Sequence, residues 1–376
     1  MHKNFQYRMF PTKKQLQSLE ATLEECRWLY NHLLENRKKA YEQEGKSLSC
    51  YGQITTYPML KEQRPSLHRV HSQVLQNVAV RIDLAYKAFF RRVKAGEKPG
   101  YPRFKGDGRY DSFTYPQSGF SLTHDTRVSL SKIGSVKLVY HRPIKGTIKT
   151  ATIHKSRTGK WSITFSCECE PERLPDRREQ VGIDVGLKTF ATLSTGEEIE
   201  NPRFFRQEHK ALANVQRKHC KLEKGTSERK KHRKVVARVH ERVKFKRTNF
   251  THHVSRRIAN TYGVICVEDL NVHRMLHNHC LAKSISDAAW SQFVSMVSCK
   301  AEEAGRTYIA VNPASTSQTC SACGYRQKMP LSERVFRCPC CSLRLDRDLN
   351  AALNIRGLGL QTLGLSVEAP AFTHGE

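Results

Sequence analysis

Hydrophobic positions change their spacing along the first hundred residues. Residues 3–10 alternate as in a β-strand, and Pro11-Thr12 is typical of a break followed by a helix N-cap. Apolar side chains then recur every three or four residues in two stretches, which predicts two amphipathic helices. These side chains are Leu16, Leu19, Leu23, Cys26, Tyr30 and Leu33 in the first stretch, and Val74, Val78, Ile82, Ala85 and Phe89 in the second.

The pattern becomes that of strands in the next segment. Residues 96–105 form a basic break rich in proline and glycine, which indicates a module boundary. Between residues 110 and 169, short stretches alternate apolar and polar positions and are separated by turns. We expect these strands to form a small β-barrel that the first strand joins. The helices between residues 13 and 95 are then an insertion in that barrel.

Strand patterns return after a linker at residues 171–178. Residues 181–194 are typical of two strands joined by a tight turn. The segment 262–270 predicts a buried strand that ends in two acids, and the segment 307–311 predicts a further strand.

One helical stretch of the second half of the chain is unusually basic. Residues 203–257 contain 19 Lys+Arg against 4 Asp+Glu, and they lack helix breakers except near Gly225-Thr226. This pattern predicts a hairpin of two long helices. The excess of positive charge favours a groove wall for a nucleic-acid duplex, and a merely solvated hairpin is the alternative. Residues 285–305 predict a further amphipathic helix, and residues 346–355 begin an Ala-rich one.

The overall charge points to a polyanionic partner. The chain has 376 residues, and 64 Lys+Arg against 35 Asp+Glu give a formal net charge of +29. Self-repulsion of this size opposes folding, whereas phosphates would neutralise the charge and release counterions. No stretch approaches the ~18 apolar residues of a membrane span, and the N-terminus lacks an export signal. We therefore expect a soluble intracellular protein that binds nucleic acid.

Four of the 13 cysteines have the spacing of metal ligands. Cys320 and Cys323 form one Cys-x-x-Cys pair, and Cys338 and Cys341 form another after 14 intervening residues. Each pair can hold one side of a tetrahedral ion while the segment between them folds as a β-hairpin. Cys340 lies inside the second pair and could compete as a ligand. Because four protein ligands leave no position for water, the predicted zinc is structural.

Three acidic residues are candidates for a catalytic site. Asp184 interrupts an apolar strand, Glu268 ends another strand, and Asp348 lies at the start of the Ala-rich helix. If these elements fold together, their carboxylates can hold two divalent ions ~3.5–4 Å apart for a phosphodiester displacement, and Mg²⁺ suits such ligands. Asp184 could instead be a turn residue. Asp269 is an alternative to Glu268, and Asp346 or Asp348 could merely cap the helix.

Several segments occur in an order that resembles a known family. In the C-terminal half they are GIDVGLKTFATLS, VEDLNV, LAKSISDAAWSQF, TSQTCSACG and DRDLNAALNI, and in the N-terminal half YRMFPTKKQ, CRWLYN and KPGYPRFK. Over residues 3–358 the chain is similar to the TnpB family of transposon-encoded RNA-guided nucleases. Its C-terminal half also resembles type V CRISPR effectors. One departure is Ser342, where the family usually has glycine after the last ligand cysteine.

The resemblance implies an α+β multidomain fold. A wedge β-barrel would comprise residues 1–14 and 103–178, with a helical recognition lobe inserted at 15–102. A RuvC-like, RNase H-like α/β nuclease domain would comprise residues 179–319 and 342–360, with a zinc ribbon inserted at 320–341. Residues 361–376 themselves have no clear pattern, which predicts a disordered tail.

The resemblance also implies an activity. The chain would cut double-stranded DNA beside a short target-adjacent motif, guided by a non-coding RNA from the right end of the transposon. Asp184, Glu268 and Asp348 would bind two Mg²⁺ or Mn²⁺ ions, and the four cysteines would bind zinc. The chain would act as a monomer, without a protein partner or membrane, in a prokaryotic cytoplasm. The alternatives are an RNase H-like transposase, a guided DNA-binding protein that does not cut, and a zinc-ribbon RNA-binding protein.

Overall fold

The computed structural model describes residues 1–123, 126–330 and 333–364. The chain divides into two compact units, Met1–Glu170 and Pro171–Glu376. Within the described ranges, no helix has the length and apolar character needed to cross a membrane. Most of the expected tail, residues 365–376, lies outside the described residues.

The first unit is built on a seven-stranded antiparallel sheet. Its strands in chain order are β1 (His2–Phe10), β2 (Ser112–Tyr115), β3 (Phe120–Thr123), β4 (Arg127–Leu130), β5 (Gly134–Val139), β6 (Thr147–Lys155) and β7 (Trp161–Glu168). Their order across the sheet is β2-β6-β7-β1-β5-β4-β3. The N-terminal strand therefore lies at the centre of the sheet, paired with β7 on one side and β5 on the other.

The sheet is a half-barrel, whereas the sequence predicted a small β-barrel. In the described part of the chain, no backbone ladder joins the edge strands β2 and β3. Side chains near the two edges are in contact. The rings of Tyr115 and Phe120 lie 6.4 Å apart, and the Tyr115 hydroxyl donates to the Ser131 carbonyl. The edge strands have only 4 residues each, against 9 in β6. The short edge strands therefore have few backbone groups for the hydrogen bonds that would close a barrel.

Four α-helices lie between β1 and β2. They are α1 (Lys13–Glu44), α2 (Cys50–Ile54), α3 (Tyr57–Gln63) and α4 (Ser72–Lys94), with a 3-10 helix at Pro65–Arg69. Thr12 caps α1 through a reciprocal pair of hydrogen bonds with Gln15, which confirms the predicted N-cap. The apolar faces of α1 and α4 share one buried core with the strands, so helices and sheet form a single unit.

The second unit contains a five-stranded mixed sheet. Its strands are β8 (Gln180–Val185), β9 (Thr189–Leu193), β10 (Glu198–Glu200), β11 (Val264–Glu268) and β12 (Thr307–Val311), in the order β10-β9-β8-β11-β12. The strands β8, β11 and β12 are parallel, whereas β9 is antiparallel to β8 and β10 is antiparallel to β9. The carboxyl ends of the parallel strands meet at one edge, where ligand sites of α/β sheets usually form.

Helices and a small hairpin complete this unit. The helices are α5 (Phe204–Lys221), α6 (Ser227–Thr261), α7 (Val272–Met275), α8 (Ala282–Ala288), α9 (Trp290–Ala304) and α10 (Arg347–Thr362), and the hairpin strands are β13 (Val335–Arg337) and β14 (Arg344–Asp346). The helices α5 and α6 form the predicted long hairpin. Its turn ends at Thr226, whose side chain caps α6 by accepting from the Arg229 N–H.

The prediction of one continuous helix over residues 285–305 is wrong. The structure has two helices, α8 and α9, separated by Ala289 in the left-handed region at φ +56°. Before the break, the Asp287 carboxylate accepts from the Phe205 N–H at the start of α5 and pairs with Arg247 at 2.8 Å. These tertiary contacts stabilise the break, and the apolar spacing of the sequence carries no sign of them.

Candidate active site and metal centre

Asp184 and Glu268 lie side by side at the carboxyl ends of parallel strands. Ile183 on β8 is the register partner of Val267 on β11, so the two acids take the next position along neighbouring strands. Side chains alternate between the two faces of a sheet. Asp184 therefore shares a face with Gly182, and Glu268 shares it with Cys266, two residues earlier in each strand.

Close packing at two glycines holds α10 against this face. A Cβ atom on Gly182 would lie 2.0 Å from the Ala352 carbonyl oxygen, and one on Gly359 would lie 2.2 Å from the Cys266 sulfur. At Gly182 the obstacles are backbone atoms of α10, so this position accepts no side chain unless the helix moves. The first turn of α10, which carries Asp348, is therefore held close to the end of β8.

The three predicted acids form a cluster of mutually repelling carboxyl groups. Burial raises the pKa of Asp184 well above its ordinary value, and the charges of Glu268 and Asp348 raise it further. Burial also raises the pKa values of Glu268 and Asp348. Among the described residues, the four cysteines are the group of three or more potential metal ligands whose ligand atoms all lie within 4.8 Å of one another. The carboxylates approach one another more loosely, as expected for like charges.

The donor set fits a divalent cation. Nearby positive charge offsets the repulsion only in part. Arg347 lowers the pKa of Asp184 without reversing its rise, and the pKa of Asp348 stays raised although the Arg334 guanidinium lies 3.7 Å away. A cation among the carboxylates would offset their repulsion and favour their charged forms. Carboxylate oxygens are the ligands that Mg²⁺ prefers.

The neighbouring acids have other placements. The Asp346 carboxylate accepts from the backbone N–H groups of Asp348 at 2.8 Å and Leu349 at 3.2 Å, so Asp346 is the N-cap of α10. Asp269 is exposed, and its backbone N–H donates to the Val311 carbonyl. In each pair of candidate acids, Asp348 and Glu268 are the more buried members.

Sequence reasoning missed two residues beside the cluster. The buried Thr316 hydroxyl donates to Glu268 Oε1 at 2.5 Å, and this hydrogen bond partly offsets the rise that burial gives to the pKa of Glu268. The buried Arg347 side chain donates to the Pro330 carbonyl at 2.8 Å and to the Ser317 hydroxyl at 3.2 Å. Only their position in the sequence could have indicated them. Thr316 lies shortly before the first ligand cysteine, Cys320, and Arg347 lies next to Asp348.

The four predicted cysteines converge on one point. The sulfur atoms of Cys320 and Cys341 lie 3.5 Å apart, as do those of Cys323 and Cys338, and all four lie within 4.8 Å of one another. Four sulfurs around one zinc ion, each at roughly 2.3 Å from it, require this kind of spacing. A hydrogen bond from the Tyr325 backbone lowers the pKa of Cys323 to about 7, which favours the thiolate that binds metal. The exposed Cys340 lies outside the set.

The two cysteine pairs have the same backbone arrangement. The Cys320 carbonyl accepts from the Gly324 N–H, and the Cys338 carbonyl accepts from the Ser342 N–H, both at 3.0 Å. The residue after each second cysteine is left-handed, with φ +76° at Gly324 and +59° at Ser342. Ser342 therefore adopts a conformation that a residue with a Cβ disfavours.

The α5–α6 hairpin carries the exposed positive charge. Its two helices are joined by Glu208, whose carboxylate pairs with Arg242 at 3.2 Å and Lys246 at 3.1 Å. Near the turn, the rings of His219 and His232 stack with centroids 6.0 Å apart. Many of the remaining basic side chains are exposed, namely Lys210, Arg217, Lys218, Lys221, Lys224, Lys230, Lys231, Arg233, Lys234, Arg238 and Lys244.

Three family models match parts of the chain. Residues 164–279 match a model described as "Probable transposase", OrfB_IS605, and residues 290–355 match "Cas12f1-like, TNB domain". Residues 1–46 match a model described as "Helix-turn-helix domain". In the structure these residues form the strand β1 and the single long helix α1.

Relatives match almost the whole chain. It is 33% identical over 363 residues to "Putative RNA-guided DNA endonuclease" of Streptomyces pristinaespiralis, covering 95% of this chain and 89% of the relative. It is 28% identical over 375 residues to "Putative RNA-guided DNA endonuclease InsQ" of Escherichia coli (strain K12), covering 94% and 92%. The fold is similar to that of a chain in a Cas12f1-sgRNA-target DNA complex, with TM-score 0.59, 16% identity, and 91% and 83% coverage. The chain belongs to the TnpB family.

Proposed function

We propose that this protein is an RNA-guided endonuclease that cuts double-stranded DNA, and that its second unit is a RuvC-like nuclease domain. The observation that carries the proposal is the meeting of Asp184, Glu268 and Asp348, from two strands and one helix, at one edge of the mixed sheet. Relatives over nearly the whole chain are named as RNA-guided DNA endonucleases, which supports the same activity.

The three carboxylates would hold two Mg²⁺ ions. Bound ions supply an activated water and stabilise the attacking and leaving oxygens of the phosphodiester. The protein supplies the placement of the ligands: β8 and β11 fix Asp184 and Glu268, and the close packing at Gly182 fixes the helix that carries Asp348. Asp346 satisfies the helix N-terminus, so the Asp348 carboxylate is not needed as a cap.

The remaining parts of the chain would bind nucleic acid. The half-barrel of the first unit would be the wedge domain that holds the guide RNA, which the sequence places at residues 1–14 and 103–178. The helices at 15–102 would contact the guide–target duplex. The exposed charge of the α5–α6 hairpin supports its role as a groove wall, because the protein must grip the backbone while base pairing reads the sequence. The guide would come from the right end of the transposon, and the chain would act as a monomer.

The cysteine site would hold a structural zinc ion in a ribbon at residues 320–341. The convergence of four sulfurs supports this assignment. Structural zinc sites contribute directly to the folding of small domains that have little core of their own. In the described part of the ribbon, the buried apolar cluster consists of only Cys320, Met329, Phe336 and Cys338. The ribbon would therefore depend on its metal.

A second candidate function is strand transfer, because residues 164–279 match a model described as a probable transposase. The same carboxylates would then join DNA ends after cutting. The two functions differ in their products: an endonuclease leaves cut target DNA, whereas a transposase leaves donor and target strands joined.

Coexpression of the gene with its flanking DNA tests the proposal. The purified protein should carry a discrete RNA with a fixed scaffold and a variable end. With that RNA and Mg²⁺, it should cut a plasmid that contains the matching sequence, and Asp184→Ala should abolish cutting. Random host RNA, or cutting that persists in Asp184→Ala, would contradict the proposal. Joined strands would favour the transposase.

A further inference from the structure

Two asparagines of α10, the buried Asn350 and the half-buried Asn354, hold the chain segment that leads into the first cysteine pair. The Asn354 side-chain amide donates to the Thr316 carbonyl at 2.8 Å and to the Thr319 carbonyl at 2.6 Å. The Asn350 amide donates to the Thr319 carbonyl at 2.8 Å, and its oxygen accepts from the Ser321 N–H at 3.0 Å. The helix therefore fixes the backbone of residues 316–321, here called the Thr316 segment.

Asparagines are costly within a helix. Asparagine has a lower helix propensity than alanine, by up to roughly 0.7 kcal/mol, and Asn350 is fully buried. Burying a carboxamide is unfavourable unless its hydrogen bonds are satisfied. The hydrogen bonds of both carboxamides go to the Thr316 segment, so their structural role is to fix that segment on α10.

The Thr316 segment in turn contacts a candidate metal ligand. The Thr316 hydroxyl donates to Glu268 Oε1, and the Thr316 side chain is only 5% exposed. A hydrogen bond to one carboxylate oxygen fixes the rotamer of the side chain and leaves the other oxygen for a metal ion. Groups that orient a metal ligand in this way typically contribute roughly 10–100-fold to metal affinity or activity.

We propose that Thr316 is a positioning residue for the divalent-ion site, and that Asn350 and Asn354 hold it in place. The helix that carries Asp348 thereby also fixes the orientation of Glu268, through a segment that is not itself part of the sheet. This inference rests on the proposed nuclease function, because it assigns Thr316 a role only if Glu268 binds a divalent ion.

The test compares two substitutions of Thr316 in the full-length chain. Thr316→Val keeps the shape of the side chain and removes the hydroxyl, whereas Thr316→Ser keeps the hydroxyl. Thr251→Val is the matched control, because this buried hydroxyl donates only to backbone carbonyls within α6. Mn²⁺ binding to each protein is measured by electron paramagnetic resonance, with Asp184→Ala defining the background. The Mg²⁺ concentration for half-maximal DNA cutting is measured with the guide RNA bound.

Thr316→Val should weaken Mn²⁺ binding and raise the half-maximal Mg²⁺ concentration by about 10-fold or more. Cutting should largely recover at saturating Mg²⁺, and Thr316→Ser and Thr251→Val should behave as the wild type. Asn354→Asp, which keeps the size of the side chain and removes its donor, should shift both values in the same direction. It serves as the second variant if Thr316→Val does not fold.

Two results would overturn the inference. One is a wild-type Mn²⁺ affinity and Mg²⁺ dependence in folded Thr316→Val. The other is an equal loss in Thr251→Val, which would indicate a general loss of stability. If the wild-type protein itself shows no Asp184-dependent Mn²⁺ site and no cutting, the proposed function fails, and that outcome is distinct because it does not involve Thr316.

Discussion

Replacement of Gly182 by alanine would test how the packing of α10 positions Asp348. The added methyl group would lie 2.0 Å from the Ala352 carbonyl oxygen and 2.6 Å from the Arg356 backbone nitrogen. Both obstacles are backbone atoms, so no side-chain rotation can relieve the contact. Restoring an ordinary contact of roughly 3.5 Å requires the helix to move by about 1.5 Å near Ala352.

The expected effect on cutting is much larger than that on stability. Asp348 lies one helical turn before Ala352, so it moves with the helix. A displacement of about 1 Å in a catalytic group can lower a rate roughly 100-fold, whereas overpacking of a core typically costs about 1–3 kcal/mol in unfolding free energy. We therefore expect Gly182→Ala to remain folded and to cut at least ~100-fold more slowly in single-turnover assays at saturating Mg²⁺.

Gly357 offers a matched control in the same helix. A Cβ atom at Gly357 would meet no heavy atom within 4 Å. Gly357→Ala should therefore cut at the wild-type rate and gain up to about 1 kcal/mol in unfolding free energy, because alanine is the better helix former. Wild-type cutting and wild-type stability in Gly182→Ala would refute the close approach of α10 to β8.

Four further predictions concern the metal sites and the charged hairpin. Ser342→Gly should stabilise the zinc ribbon by about 1 kcal/mol, measured as greater resistance to a chelator, because it relieves a left-handed serine; Gly324→Ala should have the opposite effect. Asp184→Asn should raise the unfolding temperature at neutral pH without divalent ions. The raised pKa of Asp184 means that its stabilising contribution is present at low pH and is lost as pH rises through the folded-state pKa; an unchanged or lower unfolding temperature would contradict this. Removal of zinc should raise the Mg²⁺ requirement for cutting, because the Thr316 segment contains the zinc ligand Cys320. An unaltered Mg²⁺ requirement in zinc-free protein would refute a connection between the two metal sites. Replacing Lys231 and Lys234 by glutamine should make DNA binding less dependent on salt. The slope of the logarithm of the binding constant against the logarithm of the salt concentration should become shallower by about 0.9 for each phosphate contact that is lost. An unchanged slope would argue against the groove wall.

The sequence was most informative where the chemistry is local. The cysteine pairs are set by short spacings, and the structure brings together the four residues that those spacings selected. The acids at strand ends were also accessible, because an acidic residue within or after an apolar strand is costly without a partner. Local pattern could not separate Asp346 from Asp348, since both stand at the start of a helix. The cap hydrogen bonds of Asp346 distinguish the two placements.

The features that sequence reasoning missed depend on distant contacts. The break at Ala289 is stabilised by the contacts of Asp287 with α5 and α6, and alanine itself favours a continuous helix. A β-barrel was predicted because a sequence indicates the number of strands, but it does not indicate how the short edge strands pair. The role of Thr316 requires knowing that a loop residue lies beside Glu268, 48 residues earlier in the chain.

The most direct test of the proposed active site is the separate replacement of each carboxylate by its carboxamide. Asp184→Asn, Glu268→Gln and Asp348→Asn are each measured for Mg²⁺-dependent cutting of both DNA strands and for binding of the guide and target. Asp346→Asn is the control, because asparagine also caps helices well. The proposed site predicts that the first three proteins bind target DNA without cutting either strand, while Asp346→Asn still cuts. Cutting of both strands at the wild-type rate by any of the first three would contradict the assignment.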